Sequence, residues 1–136
     1  MPTPYQDREI PDPQPNIGDE PYFEAAAQGR LLIKRCLECG KPHHFPRQVC
    51  PFCLSDRVEW QDASGAAEIY SFSILRRGTP TPYCLAYVKL DEGPLVMTNI
   101  VDCDLDDVRI GQRVRVVFKS STSGTAVPMF APGGQT

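Results

Sequence analysis

The sequence predicts a mainly β protein: a short N-terminal helix and a small ribbon held through four cysteines, followed by a five-stranded barrel. Three observations carry this reading. Two Cys-x-x-Cys pairs, Cys36/Cys39 and Cys50/Cys53, are separated by only ten residues. From Gly65 onward, apolar and polar residues alternate with period two in short runs rich in β-branched and aromatic side chains, broken by turn residues. Apolar residues at helical spacing occur over about two turns at most, near residues 20–28.

The chain has 136 residues, enough for one ordinary domain or two small modules sharing an interface, and the second division is expected: 19–61 and 62–131. A proline-rich arm (1–18) and a tail (132–136) flank them. Six of the fourteen prolines fall in the first twenty-one residues, and Pro11-Asp12-Pro13-Gln14-Pro15 suits neither helix nor inner strand. The arm is expected to be extended and mobile, free to lie across a partner.

Asp19 is placed as a helix N-cap, with Glu20 and Pro21 in the first turn and Gly29 as the stop. Phe23, Ala26 and Ala27 are expected to share its apolar face. Tyr22 and Phe23 are candidate partner-binding residues, because so short a helix needs something to pack on.

Leu31–Arg35 reads as a strand entering the first cysteine pair, His43-His44-Phe45 as an extended stretch, and Val58-Glu59-Trp60 as the strand leaving the second pair. Together they form a zinc ribbon, in which Cys36, Cys39, Cys50 and Cys53 supply four thiolates to one tetrahedral Zn²⁺. Iron also suits an all-thiolate tetrahedron and remains open. A disulfide framework fits less well, since the start of the chain lacks the charged and apolar blocks of an export signal. A cytoplasmic, reduced setting is expected. Gly40 supplies the positive φ that the turn after the first pair needs. Lys34, Arg35, Lys41 and Arg47 can offset the net charge of about −2 that four thiolates leave on the ion. With four ligands in place, His43 and His44 are read as strand or surface residues. Such a closed site leaves no position for water or substrate, so the metal is structural. Trp60, the only tryptophan, is expected where the ribbon meets the barrel.

The barrel strands are Ala67–Leu75, Cys84–Leu90, Leu95–Val101, Arg113–Phe118 and Val127–Phe130, with Asp91-Glu92-Gly93-Pro94 turning the second into the third. Leu105, Val108 and Ile110 punctuate an acidic stretch after the third strand, in the place of the plug that closes an OB-fold barrel. Tyr70 with Phe72, and Tyr83 with Tyr87, share faces by spacing and could form a platform of rings, but the preferred reading is that they fill the barrel or its contact with the ribbon, since aromatics are usual in strands. Arg76 and Arg77 lie beside them, so Arg76, Arg77 and Tyr83 are the candidate ligand-binding residues.

The rings raise single-stranded nucleic-acid binding as an alternative function, against which stand a net charge of −3 and a pI of about 5.3. No run of apolar residues reaches the ~20 needed to span a bilayer. No nucleophile elbow, phosphate-cradling glycine loop or His-Glu-x-x-His is present, and Cys84 and Cys103 are read as core residues, so no catalytic constellation is expected.

The order of helix, four-cysteine ribbon and barrel resembles the domain of unknown function 35 family. The resemblance rests on Tyr22-Phe23-Glu24-Ala25-Ala26 with Gly29-Arg30-Leu31, Cys36-x-x-Cys39-Gly40, Phe45-Pro46-Arg47, Cys50-Pro51-x-Cys53 and Glu59-Trp60. In the barrel it rests on Leu90-Asp91-Glu92-Gly93 and Arg109-Ile110-Gly111-x-Arg113-Val114. It implies a rubredoxin-like zinc ribbon and a non-catalytic accessory subunit that binds a thiolase-fold enzyme, or a related hydratase, acting on acyl-CoA. In that setting the partner carries the nucleophile, and the barrel helps to hold or channel the acyl-CoA. One departure is Leu54, where many such ribbons have glycine.

Overall fold

A computed structural model describes residues 9–14, 18–44 and 47–133. Its elements run α1 (Glu20–Ala27), β1 (Leu32–Cys36), β2 (Pro42–His43), β3 (Val58–Asp62), β4 (Ala66–Leu75), β5 (Tyr83–Leu90), β6 (Leu95–Ile100), a 3₁₀ turn (Leu105–Asp107), β7 (Arg113–Ser120) and β8 (Ala126–Pro132). The first three strands make a sheet in the order β2-β1-β3, and the last five close into a barrel in the order β4-β5-β6-β8-β7. The mainly β fold, with one short helix, a ribbon and an OB-type barrel, is the architecture expected from the sequence.

Closure of the barrel depends on two non-sequential pairings. The start of β4 pairs antiparallel with β7 through Ala67 and Val114, and β6 meets β8 in parallel at Ile100 and Phe130. Along β5 the burial alternates strictly, with Cys84, Ala86, Val88 and Leu90 inward and Leu85, Tyr87 and Lys89 outward. That is the period-two signature of a strand buried on one face only. The β5–β6 hairpin turns at Gly93, whose φ of 118° lies in the region that glycine favours. Leu105, fully buried, and Val108 plug the barrel after β6, while Ile110 points out at 70% exposed.

Ribbon and barrel are not separate cores. Leu31 and Ile33, at the start of the ribbon, belong to the same apolar cluster as Ile69, Val88, Leu105 and Phe130 of the barrel. The helix lies on that cluster too. Its buried residues are Ala25 and Ala26, and Tyr22 packs against the core, so the inward face is Tyr22, Ala25 and Ala26. This replaces the expected face of Phe23, Ala26 and Ala27, and Ala27 is exposed. Both sets obey helical spacing; the direction from which β1 and β8 approach selects between them. Asp19 caps the helix through its backbone, accepting from the amides of Tyr22 and Phe23, with no side-chain cap bond.

Within the arm, residues 9–14 lie against the barrel, whereas 1–8 and 15–17 are outside the described residues, as is 134–136 in the tail. Ile10 is buried with Val101, Met129 and Ala131, and its carbonyl accepts from the Thr122 amide at 3.0 Å. The Asp12 carboxylate accepts from the Ser121 hydroxyl, and from the amide and hydroxyl of Ser123 at 2.9 and 2.8 Å. This segment is therefore docked rather than mobile. These bonds, that from Ser121 foremost, hold the Asp12 carboxyl down at about 2. A carboxylate whose folded pKa lies below its unfolded value of about 3.9 adds stability above that value and loses it as pH falls toward the folded one. The arm is accordingly expected to loosen between about pH 4 and 2. Faster amide exchange at Thr122 and Ser123 in an Asp12→Ala variant at neutral pH would check the contact; unchanged exchange would contradict it.

Candidate metal centre

Each cysteine pair is a tight turn in which backbone amides converge on a sulfur. In the first, the amides of Glu38 and Cys39 donate to Cys36 Sγ at 3.3 and 3.4 Å; in the second, Phe52 donates to Cys50 Sγ at 3.3 Å. Gly40 closes the first turn onto the Cys36 carbonyl at 3.0 Å and Leu54 closes the second onto that of Cys50 at 2.9 Å. Both residues are left-handed, with φ of 75° and 68°. The position where glycine is usual thus keeps its turn despite carrying leucine. A Cβ there costs about 1–2 kcal/mol in the left-handed region, and Leu54, 78% exposed, recovers little by burial. Leu54→Gly is expected to stabilise the protein by about 0.5–1 kcal/mol after the added freedom of the unfolded chain is counted. Urea unfolding of the metal-loaded protein measures this, and a loss of stability would refute it.

The four thiols converge, with all Sγ atoms within 4.8 Å of one another. Cys36 lies 3.5 Å from Cys53, and Cys39 lies 3.7 Å from Cys50. A tetrahedron with metal–sulfur bonds of about 2.3 Å has edges of about 3.8 Å, so the cluster is already close to the size an ion requires. No cysteine is disulfide-bonded.

Their electrostatics are those of a shared site. The Cys39 amide, with that of Glu38, holds the Cys36 thiol down at about 6 against the effect of burial. At Cys50 burial pushes the thiol up, but the amides of Cys53 and Phe52 outweigh it and the net shift is downward. At Cys53 the Ser55 backbone favours the thiolate, yet burial and the protons shared with the other three sulfurs push the thiol up to about 12. Without a cation the set resists losing all its protons, because the thiolates repel one another. A divalent ion removes that repulsion. The cations around the ribbon are engaged locally: Lys34 Nζ lies 4.6 Å from the Trp60 ring centroid and Lys41 Nζ 5.2 Å from that of Phe52. Trp60 is half-buried in β3, opposite Lys34 of β1.

The two histidines are less exposed than expected. His43 of β2 is 6% exposed and His44 is half-buried, edge-on to Tyr22 at 6.0 Å between centroids. Phe45 and Pro46, read as continuing that stretch, are outside the described residues.

The rings divide between core and surface, as neither a single platform nor a wholly barrel-filling set. A β-bulge between Ile69 and Ser71 shifts the register, so Tyr70 is 58% exposed while Phe72, opposite buried Ala86, packs on the core. The extra residue of a bulge reverses the alternation. Tyr87 faces out beside Met97, and Tyr83 is half-buried at the head of β5. Arg76 is ion-paired with Asp106 of the 3₁₀ turn and Arg77 is exposed beside it. Phe23 is half-buried, its ring edge-to-face with Tyr22 at 5.2 Å. With Tyr22 packed inside, burial pushes its hydroxyl up to about 12, helped by Asp19. The motive for reading the helix as lacking something to pack on is thereby removed.

Cys84 is fully buried, and burial, then Cys103, pushes its thiol up to about 11. Burial and the neighbouring Asp104, Asp102 and Asp107 raise that of Cys103. Neither has the electropositive setting that activates a nucleophile. Among the described residues, no helix is long and apolar enough to cross a membrane.

Comparison with known proteins gives a consistent picture. The ChsH2 rubredoxin-like zinc ribbon domain matches residues 23–59 and the ChsH2 C-terminal OB-fold domain matches residues 60–119. A probable enoyl-CoA hydratase alpha subunit of Thermomonospora curvata is 32% identical over 126 residues, covering 90% of this chain. The chain spans only 40% of that protein's length. A DUF35 domain-containing scaffold protein of Methanothermobacter thermautotrophicus is 39% identical over 97 residues, which are 65% of this chain and 71% of that one. A solved structure described as an Ltp2-ChsH2(DUF35) aldolase superposes with a TM-score of 0.77 at 32% identity, covering 89% of this chain and 98% of that chain. A DUF35-family protein of unknown function from Sulfolobus solfataricus, at 15% identity and a TM-score of 0.64, shares the fold.

Proposed function

This chain belongs to the DUF35 family, with the ChsH2-type zinc ribbon and OB-fold, and from that premise we propose that it is a non-catalytic accessory subunit of an acyl-CoA-processing enzyme of the thiolase fold. The observation that carries the proposal is the likeness to the Ltp2-ChsH2(DUF35) aldolase, which spans nearly the whole of both chains and is accompanied by matching ribbon and barrel domains. The names of relatives point the same way, one to a scaffold and one to a hydratase subunit. The internal chemistry supports a scaffold: four thiols fill one tetrahedral site, and the remaining two have raised pKa values.

In this reading Cys36, Cys39, Cys50 and Cys53 hold one structural Zn²⁺, which fixes the ribbon as a rigid surface. The partner contributes the nucleophile. The exposed side chains Tyr70, Tyr87, Leu95 and Met97 on the outer face of β4–β6 form an apolar and aromatic surface of the kind that interfaces favour. We keep Arg76, Arg77 and Tyr83 as candidate contacts to the acyl-CoA; Phe23 and the rim of Tyr22 are candidate contacts to the enzyme.

Co-expression with a candidate thiolase-fold enzyme, followed by size-exclusion chromatography and turnover assays, tests the proposal. A stable complex whose acyl-CoA turnover falls at least about tenfold when this chain is omitted is expected, equivalent to about 1.4 kcal/mol. Separate elution together with full activity of the enzyme alone would overturn it.

A further inference from the structure

The docked part of the arm is short, and the surface beneath it is specific. Ile10 is seated on Val101, just past the end of β6, and on Met129 and Ala131 of β8. Two residues on, a single oxygen of the Asp12 carboxylate accepts from the Ser121 hydroxyl and from both the amide and the hydroxyl of Ser123. Between these two anchors the Ile10 carbonyl takes the Thr122 amide. The donors are held by the β7–β8 turn itself. The Ser121 amide donates to the Thr125 carbonyl at 2.8 Å, the Thr125 amide to the Ser121 hydroxyl oxygen at 3.0 Å, and the Gly124 amide to the Ser121 carbonyl at 2.9 Å. Ser121 is 7% exposed, so its hydroxyl has little freedom to turn elsewhere.

Three donors meeting at one oxygen select a carboxylate, because hydrogen bonds to an ionised acceptor are about twice as strong as neutral ones. The apolar seat selects the side chain two residues before it. Pro11 stands between the two anchors and Pro13 follows them. Each fixes its own φ and brings no amide that needs a partner, so the segment loses little freedom when it is seated. Every partner given above for Ile10 and Asp12 belongs to the barrel, and none to the ribbon or to α1. The seat is therefore complete on one barrel, whichever chain supplies the segment.

We propose that the β7–β8 turn and the adjoining surface of β6 and β8 form a recognition site for an extended segment with an apolar side chain two residues before a carboxylate, and that the arm of a second copy of this chain occupies it when two chains exchange arms. The second copy fits by identity: it carries the same Ile10 and Asp12 and offers the same seat in return. Reciprocal exchange conserves every contact and costs only the independent motion of the two chains. A tethered arm meets its own seat at an effective concentration of about millimolar. Exchange is accordingly a property of concentrated protein or of copies held close together. It does not rest on the partner enzyme.

The test uses the full metal-loaded chain carrying Ile10→Ser and Asp12→Ala, labelled with ¹⁵N, whose own arm no longer fits the seat. Unlabelled parent chain, or a synthetic peptide of residues 9–14, is then added. Saturable shifts of the Thr122, Ser123 and Ala131 amides are expected with both, the parent chain acting only near about millimolar concentration because its own seat competes. The same peptide with Asp12→Asn should need about tenfold more, and unlabelled double variant should shift nothing. Sedimentation of the parent chain alone should show a dimer that grows with concentration and that the double variant lacks. Asp12→Asn alone, a change at one exposed side chain, replaces the double variant as the labelled chain if that variant loses its metal or the spectrum of its barrel. The recognition site is overturned if the peptide gives no saturable shift, or if the Asp12→Asn peptide binds as tightly as the parent peptide. Peptide binding with no effect of the parent chain at millimolar concentration, or a dimer equally present in the double variant, would overturn the exchange.

Discussion

Cys36→Ser is expected to abolish stoichiometric metal binding and to unfold the ribbon between about residues 31 and 62. Cys36 is fully buried at the end of β1, where its sulfur accepts from two backbone amides and faces Cys53 at 3.5 Å. Structural Zn²⁺ in small domains binds with an apparent free energy of about 10–16 kcal/mol. That is comparable to the whole stability of a typical domain, about 5–15 kcal/mol, so losing one of four thiolates removes the largest single contribution to a segment with little core of its own. The effect should extend into the barrel. Leu31 and Ile33 share its apolar cluster, and an unfolded ribbon exposes the barrel residues they cover. Elemental analysis and thermal unfolding followed by circular dichroism measure both parts. Parent-like metal content and melting temperature in the variant would refute the assignment of Cys36 as a ligand. Loss of metal with an unchanged barrel transition would refute the coupling alone.

Gly65→Ala is expected to destabilise the protein by about 2–5 kcal/mol, the sum of two effects at one atom. Gly65 leads into β4 with a φ of 83°, a region where a Cβ costs about 1–2 kcal/mol. A Cβ built there would also stand 2.6 Å from Val116 Cγ1. The backbone leaves little room for relief, because the Val116 amide donates to the Gly65 carbonyl at 2.8 Å and holds β7 against this turn. Forcing a methyl group into such a contact costs about 1–3 kcal/mol. The two effects separate in a double-mutant cycle: Val116→Ala should recover the steric part and leave the backbone part. Urea unfolding of the four proteins gives the result. A fully tolerated Gly65→Ala would show that the chain between β3 and β4 can shift without loss. A cycle with no coupling would show that the contact with Val116 is not the cause.

The convergence of the four thiols was legible in the sequence because its information is local. Each Cys-x-x-Cys turn sets its own sulfur geometry through amides two and three residues away, and the spacing between pairs decides that the turns can meet. The barrel strands were legible for a related reason. Period-two burial along Cys84–Leu90 or Leu95–Ile100 requires only that one face be covered, whatever covers it. Family resemblance extended this to the order of the modules.

Where sequence reasoning departed from the structure, the deciding contact is always distant along the chain. Tyr70 and Phe72 have the spacing of one face, and only the partner strand β5 reveals the bulge that parts them. The helix offers two apolar faces of correct period, and the choice of Tyr22, Ala25 and Ala26 is made by β1, β8 and the shared core. Ile10 and Asp12 read as part of a solvated arm until the turn after β7 supplies an apolar seat and three hydroxyl or amide donors more than a hundred residues away. His43, read as a strand or surface residue, does lie in strand β2, but its burial near Pro94 and Leu95 of the barrel turn is encoded by no local pattern. By itself the sequence determined the ligand set it could offer, the strand periodicity and the order of the two modules, because turn geometry and face polarity act over a few residues. Tertiary structure alone decided that ribbon, helix and barrel share one core and that His43 is buried near the barrel turn, because burial depends on which distant surfaces meet.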